Sequence, residues 1–430
     1  MVRNKFKEVS ANENNNKWNN LIKREGEIYT YTDEIRSPFE RDYNRILNTN
    51  AYNRLKHKTQ VFYSPENDHI CTRIGHVNYV ESISYTISNI LGLNTELTRA
   101  IACGHDVGHG PFGHKGEKIL SEISKRDIGE SFWHEKNGLN LVDNIELLVD
   151  YDGNKRNLNL TYAVRDGIIS HCGEIDENSL KPRNEAIDLN KYTYPNEYAP
   201  YTWEGCVVKI SDKISYLGVD IEDAIEEGLL DENNIKELNE LLGIKENLNN
   251  SSIVNKLVRD ICQNSSPEEG IKLSDEGLAL MNKIKEYNYK YIYLSERMKP
   301  AEKYFELVIN QIYDILKNCY DGENTYNNIM QENNRIKTNN IIKEKKYYPG
   351  ILNKFGKWLE DYCYIENMEL NNETSATIKT RKIMDDRQNR KNKIIFDIKN
   401  EKEFYSAIIC YIAGMTDKYA IDTYNEIIHF

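Results

Sequence analysis

The sequence predicts an all-α fold carrying one short β-hairpin, and three observations predict it. Apolar residues recur at three-to-four spacing over long windows, as in Ile74, Val77, Val80, Ile83, Ile87 and Ile90, and again in Ile214, Leu217, Ile221 and Ile225. β-rich text is confined to Thr59-Gln60-Val61-Phe62-Tyr63 and His69-Ile70-Cys71-Thr72-Arg73, with turn chemistry at 64–68 between them. No internal repeat suggests a solenoid, and 430 residues suffice for a large core or for two or three domains.

Each element follows from local pattern. Residues 1–35 form a polar segment, partly helical around Trp18 to Lys23, with no assignable chemistry. A core region over 36–230 starts at Ser37-Pro38-Phe39-Glu40-Arg41-Asp42, where apolar spacing through Leu47, Ala51 and Leu55 buries one face. Arg41, Arg45, Arg54 and Lys58 are then left as a solvated basic face or as anion ligands. The hairpin comes next, and a helix from Ile74 closes at Gly92. His76, one residue off its stripe, reads as a capped core histidine or a ligand.

Asn94 or Thr95 caps a helix to Gly104 whose apolar set is Leu97, Ala100 and Ile101. Phe132-Trp133-His134-Glu135 opens another through Leu139, Leu141, Val142 and Leu147, and Leu158 to Val164 begins one ending near His171-Cys172-Gly173. Taken alone, His134 and His171 read as structural. The helix from Trp203 to Gly228 carries Asp212, Tyr216 and Asp220 at i, i+4 and i+8 beside Lys213, from periodicity a solvated acidic stripe. Residues 231–400 stay helical, with a turn at Ser265-Ser266-Pro267 and a mobile polar insertion near 321–346. The helices of 401–430, broken at Gly414, are expected to pack on the core.

Composition narrows the function classes. With 56 Lys+Arg against 68 Asp+Glu the net charge is −12, so the chain is no generic polyanion binder and a phosphate-bearing partner needs a local basic cluster. Eight cysteines stand singly, as expected for reduced thiols in a cytoplasmic protein. No signal-peptide run and no eighteen-residue apolar stretch occurs, which predicts a protein with no membrane partner.

The densest chemistry lies in His105-Asp106-Val107-Gly108-His109-Gly110-Pro111-Phe112-Gly113-His114-Lys115-Gly116-Glu117, which holds three of the nine histidines and two carboxylates. Only Val107 and Phe112 could serve a core. His105 and His109, at i and i+4, share a helix face, while Asp106 sits about 100° round. Gly110-Pro111 stops the helix, and Gly113 and Gly116 let the backbone turn so that His114 and Glu117 face back. Clustered His and Asp are the usual ligands of a divalent ion and are costly to bury without one.

Five stretches in order resemble the bacterial dGTP triphosphohydrolases of the HD superfamily. They are Ser37 to Asp42; Arg54-Leu55 with Lys58-Thr59-Gln60-Val61-Phe62; His105 to Glu117; Asp212-Lys213-Ile214-Ser215-Tyr216-Leu217; and Tyr411-Ile412-Ala413-Gly414-Met415-Thr416-Asp417-Lys418-Tyr419. The resemblance covers 36 to about 230 and 405–425, and the middle third only loosely. It implies an HD-domain helical bundle with additional helices, in which His76, His105, Asp106 and Asp212 bind one divalent metal, Mn or Mg first and Fe or Co next. It assigns His114 as the catalytic histidine paired with Glu117, and His109 and His134 as groups around the phosphates. Arg73, Lys213 and Tyr216 are then expected to meet the triphosphate, and Gln60 and Asp220 the sugar 3′-hydroxyl. Two departures stand out, Gly75 where the family often has Thr and Glu135 where Asn is usual.

The implied activity is hydrolysis of a deoxynucleoside triphosphate, dGTP favoured, to deoxynucleoside and triphosphate. Alternatives are an HD phosphohydrolase acting on another nucleotide, and a regulatory nucleotide or single-stranded DNA binder with weak turnover. The resemblance also implies a homo-oligomer, hexamer or tetramer, and leaves a nucleotide effector open.

Overall fold

A computed structural model describes residues 3–26, 34–63, 67–149, 153, 155–171, 179–242, 249–330, 349–363 and 394–428. Its helices are α1 (Trp18–Leu21), α2 (Pro38–Leu47), α3 (Asn50–Arg54), α4 (Arg73–Leu91), α5 (Thr95–Gly104), α6 (Gly113–Asp127), α7 (His134–Asn140) and α8 (Tyr162–Ser170). They continue with α9 (Trp203–Glu226), α10 (Glu232–Leu242), α11 (Asn250–Asn264), α12 (Asp275–Asn288), α13 (Lys299–Lys317), α14 (Pro349–Tyr362), α15 (Glu401–Ala413) and α16 (Asp417–Ile428). The all-α expectation holds.

Several boundaries follow the residues that signalled them. Ser37 caps α2 by accepting from the Glu40 N–H, with Pro38 in the first turn, and Asn94 rather than Thr95 caps α5 through the Leu97 N–H. Gly92, at φ +82°, ends α4.

Three apolar clusters organise the molecule. One joins α2, α5, α7 and α8 to the first half of α4 around Leu97, Ala100, Ile101, Val164 and Ile168. A second joins the rest of α4 to α9, α11 and α12 around Ile87, Ile214, Leu257 and Ile284. The third joins α6 to α13, α14, α15 and α16 around Leu120, Ile309, Phe355 and Ile408. The N-terminal stretch reaches the second cluster, where Phe6 meets Trp203 edge-on at 5.0 Å and its N–H bonds Leu91 O at 2.8 Å.

Some local expectations change. The segments 59–63 and 69–73 share only the isolated bridge Thr59↔Thr72, because their polar groups are taken elsewhere. The Thr59 N–H goes to Asp417, the Thr59 and Gln60 carbonyls to Arg73, and the Cys71 N–H to Asp223. The short antiparallel hairpin lies instead between β1 (Leu147–Val149) and β2 (Lys155–Asn157), and β3 (Ser179–Leu180) pairs with β4 (Ile271–Lys272). The helix expected to run from Phe132 through Leu147 is interrupted, since α7 passes into a wider turn at Leu141–Ile145 and then into β1.

The basic series is neither a solvated face nor an anion cluster. Arg45 donates to the Leu158 and Asn157 carbonyls, Arg54 pairs with Glu146 at 3.0 Å, Arg41 lies 3.6 Å from Glu34, and Lys58 is buried. Of the expected insertion at 321–346, residues 331–346 lie outside the described residues, whereas Tyr326 and Ile329 pack into the third cluster. Cys103, Cys206, Cys262 and Cys410 are buried thiols. Among the described residues no helix is long and apolar enough to cross a membrane.

Candidate active site

Three elements bring the ligand-type side chains together. The first turn of α4 supplies His76, the end of α5 supplies His105 and Asp106, and the middle of α9 supplies Asp212. His76 Nε2 lies 2.9 Å from Asp212 Oδ1, 3.4 Å from His105 Nε2 and 3.6 Å from Asp106 Oδ2. His105 Nε2 lies 3.5 Å from Asp106 Oδ1 and 3.8 Å from Asp212 Oδ1. Ligands about 2.1 Å from one octahedral ion sit about 3 Å apart, so His76, His105 and Asp212 are spaced to hold a single divalent metal, with Asp106 beside them.

The neighbouring bonds fit as well. His105 Nδ1 faces the Ala102 carbonyl at 2.7 Å, and His76 Nδ1 faces Ser215 Oγ at 3.1 Å, while Ser215 itself donates to the Asp212 carbonyl. Each Nδ1 thus has a partner of its own, which leaves each Nε2 facing the cluster. Burial alone would raise both carboxyl groups. The charges of His105, His109 and Arg73 instead hold Asp106 well below the usual range, and the His76 hydrogen bond and the His76 and His105 charges do the same for Asp212.

The turn after α5 aims the remaining histidines. The helix ends at Gly104, so His105 and His109 do not share a continuous helical face as the i, i+4 reading expected; His109 N–H closes a turn on Asp106 O at 3.2 Å. Gly108 lies so close to α7 that a Cβ there would stand 2.0 Å from the His134 carbonyl oxygen. That approach puts His134 over His109, ring on ring at 3.8 Å and 18°. Gly116 is not a turn residue but lies inside α6, where a Cβ would stand 1.8 Å from Pro111 O.

Glu117 serves two histidines. Its Oε2 lies 3.4 Å from His114 Nδ1, and both oxygens face His134 Nδ1, at 3.0 and 3.1 Å. His134 Nδ1 also lies 3.3 Å from Glu135 Oε2, and its Nε2 lies 3.4 Å from His171 Nε2. His171 Nδ1 faces the Ile168 carbonyl at 2.7 Å, so His171 accepts at Nε2 and His134 donates from both nitrogens. Burial would lower the His134 pKa, but Glu117 and Glu135 push it up to about 10, an imidazolium at neutral pH. Glu117 is correspondingly held well below its usual range, since the His134 charge outweighs its burial.

A cavity of about 620 Å³ opens on this wall, within the ~300–1,000 Å³ of small-molecule sites. The His114 side chain stands 70% exposed at it, whereas those of His105 and His109 are 0% and 1% exposed. Arg73, Lys213, Tyr216, Gln60 and Asp220 also line it. Arg73 is not a loose cation: it meets Asp106 Oδ2 at 3.1 Å and bonds the Gln60 carbonyl, with His109 Nε2 3.3 Å away. Gln60 Oε1 and Asp220 Oδ1 are buried and have no hydrogen-bond partner among the described residues. Burial raises Asp220 to about 6, although the Tyr293 hydroxyl donates to its other oxygen.

All thirteen residues singled out from the sequence therefore border one site: the cavity lining names each except His105 and Glu117, which pair with neighbours that it includes. Sequence reasoning missed Ser215, Glu135, His171 and Tyr293. Ser215 was quoted within a motif without a role, and Glu135 was noted only as a departure. His171 carried a weak signal as a histidine at a helix end; Tyr293, one of 30 tyrosines, carried none.

Comparison with known proteins agrees with this geometry. A model of the HD domain family matches residues 73–217, the span from Arg73 to Leu217. Three relatives are named deoxyguanosinetriphosphate triphosphohydrolase-like protein. That of Caldanaerobacter subterraneus subsp. tengcongensis is 35% identical over 281 residues, 65% of this chain and 72% of its own. That of Clostridium tetani is 33% identical over 342 residues, 77% and 85%, and that of Rickettsia bellii is 30% identical over 423 residues, 94% and 96%.

Proposed function

Because the chain belongs to the deoxyguanosinetriphosphate triphosphohydrolase-like family, we propose that it hydrolyses deoxynucleoside triphosphates, dGTP first among them, to deoxynucleoside and triphosphate. The observation that carries this reading is the convergence of His76, His105, Asp106 and Asp212 on one wall of a cavity also lined by Lys213, His114, Gln60 and Asp220. Residues 36–230 supply every one of these groups, so the reading takes that span as the catalytic core.

His76, His105, Asp106 and Asp212 would hold one divalent ion, Mn or Mg. Such an ion, when bound, polarises a phosphate oxygen and acidifies water. The chain's own groups do the rest. Arg73, Lys213 and the His134 imidazolium offset the charge of a triphosphate, and Tyr216 and His109 offer it hydrogen-bonding atoms. Gln60 Oε1 and Asp220 Oδ1, buried and without a partner among the described residues, suit a donor such as the sugar 3′-hydroxyl.

In the reaction, water adds to the α-phosphorus and the bond from that phosphorus to the 5′ oxygen breaks. The departing oxygen needs a proton. On this reading His114 gives it from Nε2, with Nδ1 toward Glu117, and the proton released by the attacking water leaves to solvent, from which His114 is reprotonated. The exposed His114 takes the leaving side and the buried carboxylate-imidazole cluster the attacking side.

The test is to incubate the full chain with each dNTP and with GTP, in Mn²⁺ or Mg²⁺, beside an Asp212→Ala control, and to separate the products by ion exchange. Triphosphate with deoxynucleoside, absent in the control and greatest from dGTP, is the expected result. Release of phosphate or pyrophosphate would replace the reading with another HD phosphohydrolase activity.

A further inference from the structure

Two stretches singled out in the sequence, around Lys58-Thr59 and around Met415-Thr416-Asp417, contribute no group to the chemistry above apart from Gln60. The structure brings them together behind the catalytic turn. Asp417, the first residue of α16, is 4% exposed, and its two oxygens divide their work. Oδ1 accepts the Phe112 N–H at 2.8 Å, and Oδ2 accepts the Thr59 N–H at 2.8 Å. Lys58, 3% exposed, donates to the carbonyl of His109 and, at 3.0 Å, to that of Ala413 at the end of α15.

The backbone held in this way would not hold itself. Phe112 has φ +63°, a left-handed conformation that a residue with a bulky side chain adopts only when its surroundings enforce it, and Gly113 follows at φ +57°. Phe112 offers α6 no side-chain cap. Its ring is fixed against Phe305 at 4.3 Å and 4°, which sets the side chain and leaves the peptide to Asp417. Immediately before this turn stands His109 and immediately after it His114. On the other side, the Thr59 and Gln60 carbonyls bind Arg73, which binds Asp106.

We propose that Asp417 and Lys58 are positioning residues, a clamp through which the C-terminal helices hold the Gly110–Gly113 turn and so fix His109 and His114 relative to Asp106. The inference rests on the hydrolase reading for its catalytic consequence and on backbone geometry alone for its structural one. Replacing Asp417 by Asn keeps the shape but turns an amide N–H₂ toward a backbone N–H, so one of two bonds fails. Lys58→Met removes the other half and leaves two buried carbonyls unpaired.

The experiment compares the full chain with Asp417→Asn, Lys58→Met and, as control, Asp422→Asn, an exposed carboxylate on the same helix. Hydrogen exchange of peptides covering 105–118 is read against peptides from the second half of α4, with metal content, kcat and KM for dGTP. Exchange in 105–118 is expected to quicken about tenfold in either clamp variant, and kcat to fall at least about tenfold, with KM within about threefold and metal content unchanged. A merely structural role would lower metal content, melting amplitude and kcat together. Unchanged kcat in a folded clamp variant overturns the proposal. If the wild type itself releases no deoxynucleoside, the hydrolase reading fails on its own, and wild-type exchange in 105–118 of a folded variant then overturns the clamp.

Discussion

On the proposed reading His114 is the residue on which the chemistry turns, and its exposure sets it apart from His76, His105, Asp106 and Asp212. It is 70% exposed, it pairs with Glu117, and its ring stands edge-on to those of His109 at 5.2 Å and His134 at 6.1 Å. His114→Ala is therefore expected to lower kcat about 10²–10⁴-fold while leaving bound metal at the wild-type level, checked by steady-state kinetics beside elemental analysis. Loss of metal in that variant would place His114 among the ligands instead. This residue was legible in the sequence because glycines, a proline and three histidines crowded into thirteen positions have no core use. His171 was not legible, because its role is given by what its Nε2 faces, the Nε2 of His134 at 3.4 Å, 37 positions earlier in the chain.

Helix α6 carries His114 and Glu117 at one end and is anchored at the other. Asp127 accepts from Arg126 at 2.8 Å, from the Tyr313 hydroxyl at 2.9 Å and from Lys317 at 2.8 Å, which ties α6 to α13. Burial works to raise its pKa, but the hydrogen bonds from Arg126, Lys317 and Tyr313 win and lower it from 3.8 to about 2. A carboxylate depressed on folding adds stability that is complete above its unfolded pKa and is lost as pH falls through the folded one. Asp127→Asn is thus expected to lower Tm near neutral pH, and the gap from wild type should close as pH falls from about 4 to about 2. A gap that stays constant across that range would mean that packing rather than charge is lost. Among the elements, α4, α5 and α9 were readable from periodicity and caps. The hairpin was misplaced because β-propensity at 59–63 says nothing of Arg73 and Asp417 taking the ladder's hydrogen bonds.

At the scale of the whole molecule, a metal held by His76, His105, Asp106 and Asp212 would link α4, the end of α5 and α9, drawn from two of the three apolar clusters. Binding only to the folded state raises stability by mass action, about 2.7 kcal/mol at a hundredfold excess over Kd. Chelation by EDTA is accordingly expected to lower Tm, and Mn²⁺ or Mg²⁺ to restore it, with Asp212→Ala indifferent to both. A Tm unmoved by chelation in a chain shown to contain metal would mean that the ion does not bridge these helices.

The sequence by itself determined the all-α class, the bounds of α4, α5 and α9, the family and the residues that meet at the site, because caps, apolar spacing and clustered ligand types act over a few positions. Tertiary structure decided which way those residues face. The stripe Asp212, Tyr216, Asp220 has the period of a solvated face, and only the packing of α9 against α4 and α5 turns it toward the cavity. Lys58 has the look of a surface lysine, and only the carbonyls of His109 and Ala413 make its burial affordable. Partners 51 and 355 positions away leave no local trace, since a hydrogen bond depends on distance in space and not on separation along the chain.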